Sequence, residues 1–500
     1  MSYPGMRQNK EKYESAGFRS EGTRIGRTGI DGKWLLFMGR ECAFTARSVR
    51  TRFKFGAGKE CMKKAGQHKK RMVNIEVLRL LAMMMVVSLH YLAKGELLEK
   101  LTGPLSAKGH LAWLLESFSI AAVDVYVLIS GYFLVETGFR CRRVISLVLQ
   151  VMFYTCLLPV VLILTGILPV GEITFYNILQ CIFPTNMLHY WFVSAYVLMF
   201  LFTPVLNAAV HGMKKRQLQT AIVILLIMES LSKTVIPVRL ELDNLGYDAY
   251  WFMVVYLIAA YIRLYGIPFL EKKGGRAAAC YIGACLGMYG LTMLIRGAYL
   301  LTGQFENFIE SAYGYNHLLT IGAATALFYV FKNRETEEGE EARAKTAETG
   351  EEKETQTKAA VTGEREKMQA KAAVAGEGEK TQGKDTGIGE AKQVSVEAGA
   401  AGGPAGIICR IAPCSFGVYL LHEQVNVRYV WPFWLGADRC GSAFSLLWHW
   451  AAAILTVMVI GLAVDHIRSL LFRGAGKLFA GGRLDQGLRK IDDLVNGLTQ

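Results

Sequence analysis

The sequence is poor in charge outside two segments. Only 20% of its 500 residues are charged, and residues 1–71 alone carry 18 Lys and Arg against 6 Asp and Glu. Residues 332–406 nearly lack large apolar side chains, with no aromatic residue between Phe331 and Phe416. The remainder consists of long apolar runs with charges at their edges. This distribution excludes a soluble enzyme, a nucleic-acid binder and a fibrous protein, and it indicates a polytopic membrane protein.

Cysteine motifs are also missing. The 10 cysteines form no paired Cys-x-x-Cys pattern and fall mostly within apolar runs or in segments predicted to be cytoplasmic. We therefore expect neither a zinc site nor a disulfide framework, and no metal cofactor. Cys181 and Cys440 fall in predicted outer loops and could pair, although nothing in the sequence requires it.

The apolar runs are long enough to cross a bilayer, which takes about 20 residues of helix. Ten such segments are predicted, at 75–93, 111–135, 143–166, 188–210, 218–236, 249–265, 276–301, 315–332, 407–428 and 446–470. Basic residues follow every second segment: Arg140, Arg142 and Arg143; Lys214, Lys215 and Arg216; Lys272, Lys273 and Arg276; Lys332 and Arg334; Arg468, Arg473 and Lys477. The positive-inside rule then predicts an all-α transmembrane bundle of about ten spans with both termini in the cytoplasm.

The charge-rich segments divide the chain further. We expect 1–71 to be a basic, disordered cytoplasmic extension and 333–406 to be a charged, disordered cytoplasmic loop, because neither can bury enough apolar surface to offset its ordering entropy. The membrane domain is then formed by 72–332, with spans one to eight, and 407–472, with spans nine and ten. Residues 473–500 are expected to be a cytoplasmic tail.

The first span carries three ionisable residues, Glu76, Arg79 and His90. At about 100° per residue, His90 lies about 20° past three full turns from Arg79, and all three share one face. Arg79 and His90 stand about 16 Å apart along the axis, so they could contact two ends of one long ligand. An arginine suits phosphate groups, and a histidine suits removal of a hydroxyl proton. Alternatively, Glu76 and Arg79 simply pair near the interface and His90 is an ordinary buried histidine.

The polar residues in and just after the second span also allow both a functional and a purely structural interpretation. Asp124 could orient and polarise a histidine, or it could pair with a neighbouring helix. Ser130, followed by glycine, is more typical of a small-residue packing contact than of a nucleophile. Arg140 and Arg143 could bind phosphates, but such clusters are also ordinary cytoplasmic flanks.

Two further polar groups lie near the predicted outer ends of spans. His189 and Trp191 begin the fourth span, where aromatic residues serve as interface anchors and could also stack against a sugar. In the ninth span, His422 and Glu423, with Asn426 one turn on, form a second polar cluster that could face inward or outward. Tyr419 and His422 are candidates for an acceptor site or a cavity.

In combination these features resemble the acyltransferase 3 family of integral membrane acyltransferases. The Arg79-x10-His90 spacing is similar to the family's first-helix signature, and Val123 to Tyr132 resembles its second-helix block with Ser-Gly. Arg140-x-x-Arg143 and the late block that ends in Tyr419-x-x-His422 are similar to two further family motifs. Ten spans with both ends inside is also the family arrangement.

The resemblance implies transfer of an acyl group, commonly acetyl, from cytoplasmic acyl-CoA to a hydroxyl of an envelope carbohydrate or glycolipid. Arg79, Arg140 and Arg143 are then the candidates for binding the donor's phosphates. His90 is the candidate general base or acyl relay, with Glu76 and Asp124 as the accompanying carboxylates. The expected location is the bacterial cytoplasmic membrane.

Two other functions remain open at this point. Polar stripes in polytopic proteins also mark substrate paths, so a transporter or flippase for a glycan precursor or small polar solute is the first alternative. A sensor or scaffold that uses the charged loop is the second. That loop lacks aromatic or leucine anchors, which disfavours a strong interface there.

Overall fold

The computed structural model describes residues 72–168, 174–185, 189–235, 244–271, 274–334, 403–479 and 483–498, which belong to one compact unit, Arg71–Gln500. The segment 1–71 and most of the loop 333–406 lie outside the described residues, so the predictions made for them stay predictions. Within the described ranges the chain is helical and contains no strand.

Fourteen helices of eight or more residues form the described part. The first seven are α1 (Val73–Lys94), α2 (Ala107–Ser119), α3 (Ala122–Leu134), α4 (Cys141–Leu164), α5 (Phe175–Ile182), α6 (Trp191–Gly212) and α7 (Lys215–Leu226). The others are α8 (Ala249–Tyr265), α9 (Gly274–Thr302), α10 (318–334), α11 (Pro404–Ile411), α12 (Ser415–His422), α13 (Ala443–Phe479) and α14 (Arg483–Leu498). All ten predicted spans overlap helices.

Seven helical stretches of the described chain are long and apolar enough to cross a membrane. They are Val73–Lys94, Ala107–Leu134, Cys141–Leu164, Trp191–Gly212, Gly275–Thr302, Pro404–His422 and Ala443–Gly474. The stretch Ala107–Leu134 contains α2 and α3, and Pro404–His422 contains α11 and α12. Helix α8 is apolar but shorter, and α7 continues through a π-turn at Ile227–Leu231. The chain is therefore a helical multi-pass membrane protein, and the count of ten and the orientation stay predictions.

Helix α1 lies in the centre of the structure. Most residues in the apolar windows of α1 and of the stretch Ala107–Leu134 are buried, whereas fewer than a third are buried in the windows of α4, α9 and α13. The exposed apolar side chains, such as Leu149, Leu286 and Leu455, suit contact with lipid tails. Because α1 packs against α2, α3, α12 and α13, its polar residues meet other helices and not lipid.

Small residues allow close approach at two helix contacts. A Cβ on Gly131 of α3 would lie 2.8 Å from the Cβ of Ala259 on α8, and one on Gly461 of α13 would lie 2.8 Å from the Cα of Val418 on α12. Such distances leave no room for a side chain. The first contact supports the packing interpretation of the Ser-Gly pair.

Two charges to which the sequence assigns no role hold helices together. Asp465 of α13 accepts hydrogen bonds from Tyr154 (2.9 Å) and Gln150 (3.0 Å) of α4, and it pairs with Arg468 at 2.7 Å. Arg296 of α9 donates to two backbone carbonyls of the loop that precedes α2, at 3.0 and 2.7 Å. These bonds compensate the cost of burying charge.

Candidate active site

The first helix places its ionisable residues at two separate points. Arg79 Nη1 pairs with Glu76 Oε2 at 2.8 Å, so the predicted i,i+3 ion pair is present. The backbone carbonyl of Arg79 also accepts a hydrogen bond of 2.8 Å from Tyr126. His90 lies three turns further along α1, where it contacts α12.

His90 meets His422, which is 332 residues away in sequence. His90 Nδ1 lies 2.9 Å from His422 Nε2, and His422 Nδ1 lies 2.6 Å from the carbonyl oxygen of Val418. A carbonyl can only accept, so His422 Nδ1 carries the proton and its neutral ring accepts through Nε2. His90 Nδ1 must then be the donor. This chain of bonds selects the tautomer of His90 that has its lone pair on Nε2.

Glu423 is the carboxylate beside this pair. Its Oε2 lies 3.3 Å from His90 Nδ1 and also contacts the ammonium of Lys94, which is one turn beyond His90 on α1. Arg428 Nη1 lies 3.8 Å from Glu423 Oε1. Glu423 can therefore stabilise a positive charge that develops on the His90 ring.

His90 lines a cavity with about 450 Å³ of free space, part of it open to solvent. The walls are mostly apolar and aromatic and include Tyr126, Trp191, Phe192, Tyr315, Phe416 and Tyr419. Within the described chain, the buried hydroxyl of Tyr419 makes no hydrogen bond, nor does Nε2 of His90. The ring that carries this lone pair therefore forms part of a mostly apolar cavity wall.

The arginines gather near a second point, around Tyr196 of α6. The Tyr196 hydroxyl lies 3.3 Å from the Ser130 hydroxyl, and both Arg79 and Arg143 act on it electrostatically. Arg143 donates to Thr137 at 3.3 Å, and Arg140 is exposed beside it at the start of α4. Arg79 and Arg143, predicted as donor-binding residues from different helices, thus both lie within electrostatic range of one hydroxyl.

Helix α6 connects the two points. Phe192 lines the His90 cavity and stacks on Tyr196 with 5.9 Å between ring centroids and 17° between planes. Tyr196 in turn faces the arginines. Helix α6 therefore carries stacked aromatic rings from the cavity wall to the hydroxyl beside Ser130.

Of the remaining predicted residues, Trp191 lines this cavity, whereas Asp124 and His189 hydrogen-bond to other groups. Asp124 is buried and accepts a hydrogen bond of 2.9 Å from Trp251 of α8, and Glu423 is the carboxylate at His90. His189 Nε2 accepts from the backbone N–H of Val425 at 3.4 Å. Trp191 belongs to the cavity wall, where it stacks on Tyr315 at 5.7 Å.

A metal ion has possible ligands here. One atom each of His90, His422 and Glu423 lies within 4.8 Å of the other two. However, Lys94 contacts Glu423 and Arg428 lies close to it, so two positive charges already adjoin the same carboxylate. Their repulsion raises the cost of adding a divalent cation.

Sequence reasoning assigned no role to Lys94, Tyr196 or Arg428. For Lys94 a signal was present, because it follows His90 by four residues and so shares its helix face. Glu423 was predicted only as part of a polar cluster with His422. Tyr196 and Arg428 stand in segments where nothing in the local pattern separates them from interface aromatics and ordinary loop charges.

The comparison with known protein families agrees with the resemblance. The family model of the acyltransferase 3 family, described as an acyltransferase domain, matches residues 72–339, more than half of the chain. No curated protein and no solved structure matches the chain. The matched range includes Arg79, His90 and Arg143, whereas His422 lies beyond it. The chain therefore belongs to the acyltransferase 3 family and is a membrane acyltransferase.

Proposed function

We propose that the protein transfers an acyl group, most simply acetyl, from acyl-CoA to a hydroxyl of an envelope carbohydrate or glycolipid. The observation that carries this proposal is the hydrogen bond from His90 to His422, which leaves the Nε2 lone pair of His90 beside a cavity. A general base for a hydroxyl needs such a lone pair within reach of the substrate.

The donor would bind along α1. Arg79, Arg143 and the exposed Arg140 suit the phosphates of coenzyme A, because a guanidinium forks onto phosphate oxygens. The acyl end would then have to reach about 16 Å along the helix to His90. The aromatic wall formed by Phe192 and Tyr126 suits the uncharged arm between them. No metal is required for this chemistry.

In the transfer step, Nε2 of His90 takes the proton of the acceptor hydroxyl while its oxygen attacks the thioester carbonyl. A new C–O bond forms and the C–S bond breaks. The proton on His90 then passes to the departing thiolate, which leaves as free coenzyme A. During the step His90 carries a positive charge, and Glu423, 3.3 Å from its Nδ1, stabilises that charge.

In the predicted orientation, the two ends of this arrangement face opposite sides of the membrane. Arg79 lies toward the cytoplasm, where acyl-CoA is made, and His90 lies toward the outside, where an envelope glycan would be presented. We therefore infer a multi-pass protein of the bacterial cytoplasmic membrane that brings the two substrates together within the bundle.

The test uses labelled acetyl-CoA and inside-out vesicles that contain wild type or His90→Ala. We expect label in a glycan or glycolipid fraction with wild type, and at least a 100-fold lower rate with His90→Ala, because general-base catalysis contributes about 10²–10⁴-fold. The exposed His466 of α13 gives the matched control, and His466→Ala should transfer normally.

Three results would contradict the proposal. Wild-type rates in His90→Ala would remove the role of the base. Label that enters protein alone would contradict the carbohydrate acceptor. Absence of label in every fraction, also with longer acyl-CoAs, would favour the transporter alternative.

A further inference from the structure

Positive charge exceeds negative charge around Glu423, the carboxylate beside His90. Lys94 and Arg428 both adjoin Glu423, so two cations share one carboxylate. Within this group of three charges, one positive charge is therefore uncompensated.

Arg428 is the less satisfied of the two cations. Its Nη1 is 3.8 Å from Glu423, beyond hydrogen-bond range, whereas Lys94 is in direct contact with that carboxylate. Its Nε is buried and has no hydrogen-bond partner within the described chain. The guanidinium lies 5.0 Å from the centroid of the Tyr429 ring, a cation–π contact that does not occupy its N–H donors. Buried donors of this kind normally have a partner.

Arg428 is also close to His90. Its Nη1 lies 3.8 Å from Glu423 Oε1, and Glu423 Oε2 lies 3.3 Å from His90 Nδ1. An anion bound to this guanidinium would therefore lie next to the Glu423–His90 pair.

We propose that the acceptor carries an anionic oxyacid group, a carboxylate or a phosphate, close to the hydroxyl that is acylated, and that Arg428 binds it with Lys94 as the second cation. A guanidinium suits both groups, because each offers two oxygens to its fork. The inference rests on the proposed function and specifies its acceptor class.

Stabilisation of the oxyanion on the thioester is the competing role for these cations. Loss of that stabilisation would lower kcat equally for charged and neutral acceptors. Loss of an acceptor subsite would instead weaken the binding of charged acceptors selectively. Binding measured without any acyl donor isolates the subsite.

The experiment is calorimetric titration of purified full-length protein in nanodiscs with methyl glucuronide, methyl glucoside 6-phosphate and methyl glucoside. The probes differ in one substituent, so the charged ones test the anionic group and identify whether carboxylate or phosphate is preferred. We expect the preferred charged glycoside to bind at least tenfold more tightly than the neutral one. Arg428→Gln should reduce that preference by about 10- to 100-fold, the usual weight of a charge-assisted hydrogen bond.

Two further variants serve as controls. Arg439→Gln changes an exposed arginine of the same loop and should leave binding unchanged. Arg428→Lys keeps the charge and should retain part of the preference, which separates loss of charge from misfolding.

Equal binding of neutral and charged glycosides, a full preference in Arg428→Gln, or no binding of any probe would overturn the inference. The same titrations in His90→Ala should show the wild-type preference. Failure of the transfer assay with an intact preference would therefore refute the proposed acyl transfer and not the anion subsite.

Discussion

Replacing His422 by phenylalanine should slow transfer without weakening donor binding. Phenylalanine keeps a ring that can make the contact with Trp431, whose centroid lies 5.6 Å away, but it removes the nitrogen that accepts from His90 Nδ1. Without that acceptor, the carboxylate of Glu423, 3.3 Å away, remains beside Nδ1. The tautomer that has its lone pair on Nε2 is then held less strongly.

The magnitude follows from one lost hydrogen bond and from the tautomer that it selects. A net value of about 0.5–1.5 kcal/mol for the bond corresponds to about 2- to 13-fold in rate. Residues that orient a reacting histidine through hydrogen bonds commonly contribute 10–100-fold. We therefore expect kcat to fall by about 10- to 100-fold. The KM for acetyl-CoA should change by less than about twofold, because Arg79 lies about 16 Å away along α1.

The assay is initial-rate transfer of labelled acetyl groups in inside-out vesicles, normalised to inserted protein. His422→Gln provides the partial rescue, since its amide oxygen can accept from His90, and it should be faster than His422→Phe. In a His90→Ala background, His422→Phe should have no further effect. Wild-type kcat in His422→Phe, or equal losses in the Phe and Gln variants, would refute the tautomer argument.

Four further outcomes test the description of the molecule. Arg79→Gln should raise the KM for acetyl-CoA by about tenfold or more with a smaller effect on kcat, and an unchanged KM would exclude Arg79 from the donor site. Asp124→Asn should leave kcat within about threefold of wild type, because asparagine keeps the oxygen that accepts from the indole, and a large loss of kcat at normal expression would instead show a catalytic role. Gly417→Ala should lower thermal stability by about 1–3 kcal/mol, because its Cβ would overlap Asp465, and an unchanged melting profile in detergent would contradict that packing. Deletion of 336–402 should leave transfer rates nearly unchanged if this segment only connects spans, whereas an inserted but inactive protein would show that it has a function.

Several parts of the site follow from local sequence. Helical periodicity alone places Glu76, Arg79 and His90 on one face of α1, because positions along a helix are fixed by about 100° per residue. The Glu76–Arg79 pair needs only that spacing, and it is present at 2.8 Å. The length of the apolar run likewise predicts α8, and both predicted ends agree with the helix Ala249–Tyr265.

The partners across helices could not be predicted in this way. Asp124 was a candidate to orient a histidine, but its hydrogen bond goes to Trp251, and Glu423 lies beside His90. Position on a helix defines which way a side chain points, but not which helix it meets. That depends on how all the faces pack together.

The sequence by itself therefore determined the helical class, the membrane environment and the polar stripe of α1, since each depends on composition or on spacing within one segment. Only the tertiary structure decided that His90 meets His422 across 332 residues and that Arg79 and Arg143 both lie within electrostatic range of Tyr196. The tertiary structure also decided which nitrogen of His90 carries the proton. His422 Nδ1 must donate to the carbonyl of Val418 in α12, so His422 Nε2 accepts from His90. Contacts between distant segments arise from packing of the whole bundle, and no local pattern encodes them singly.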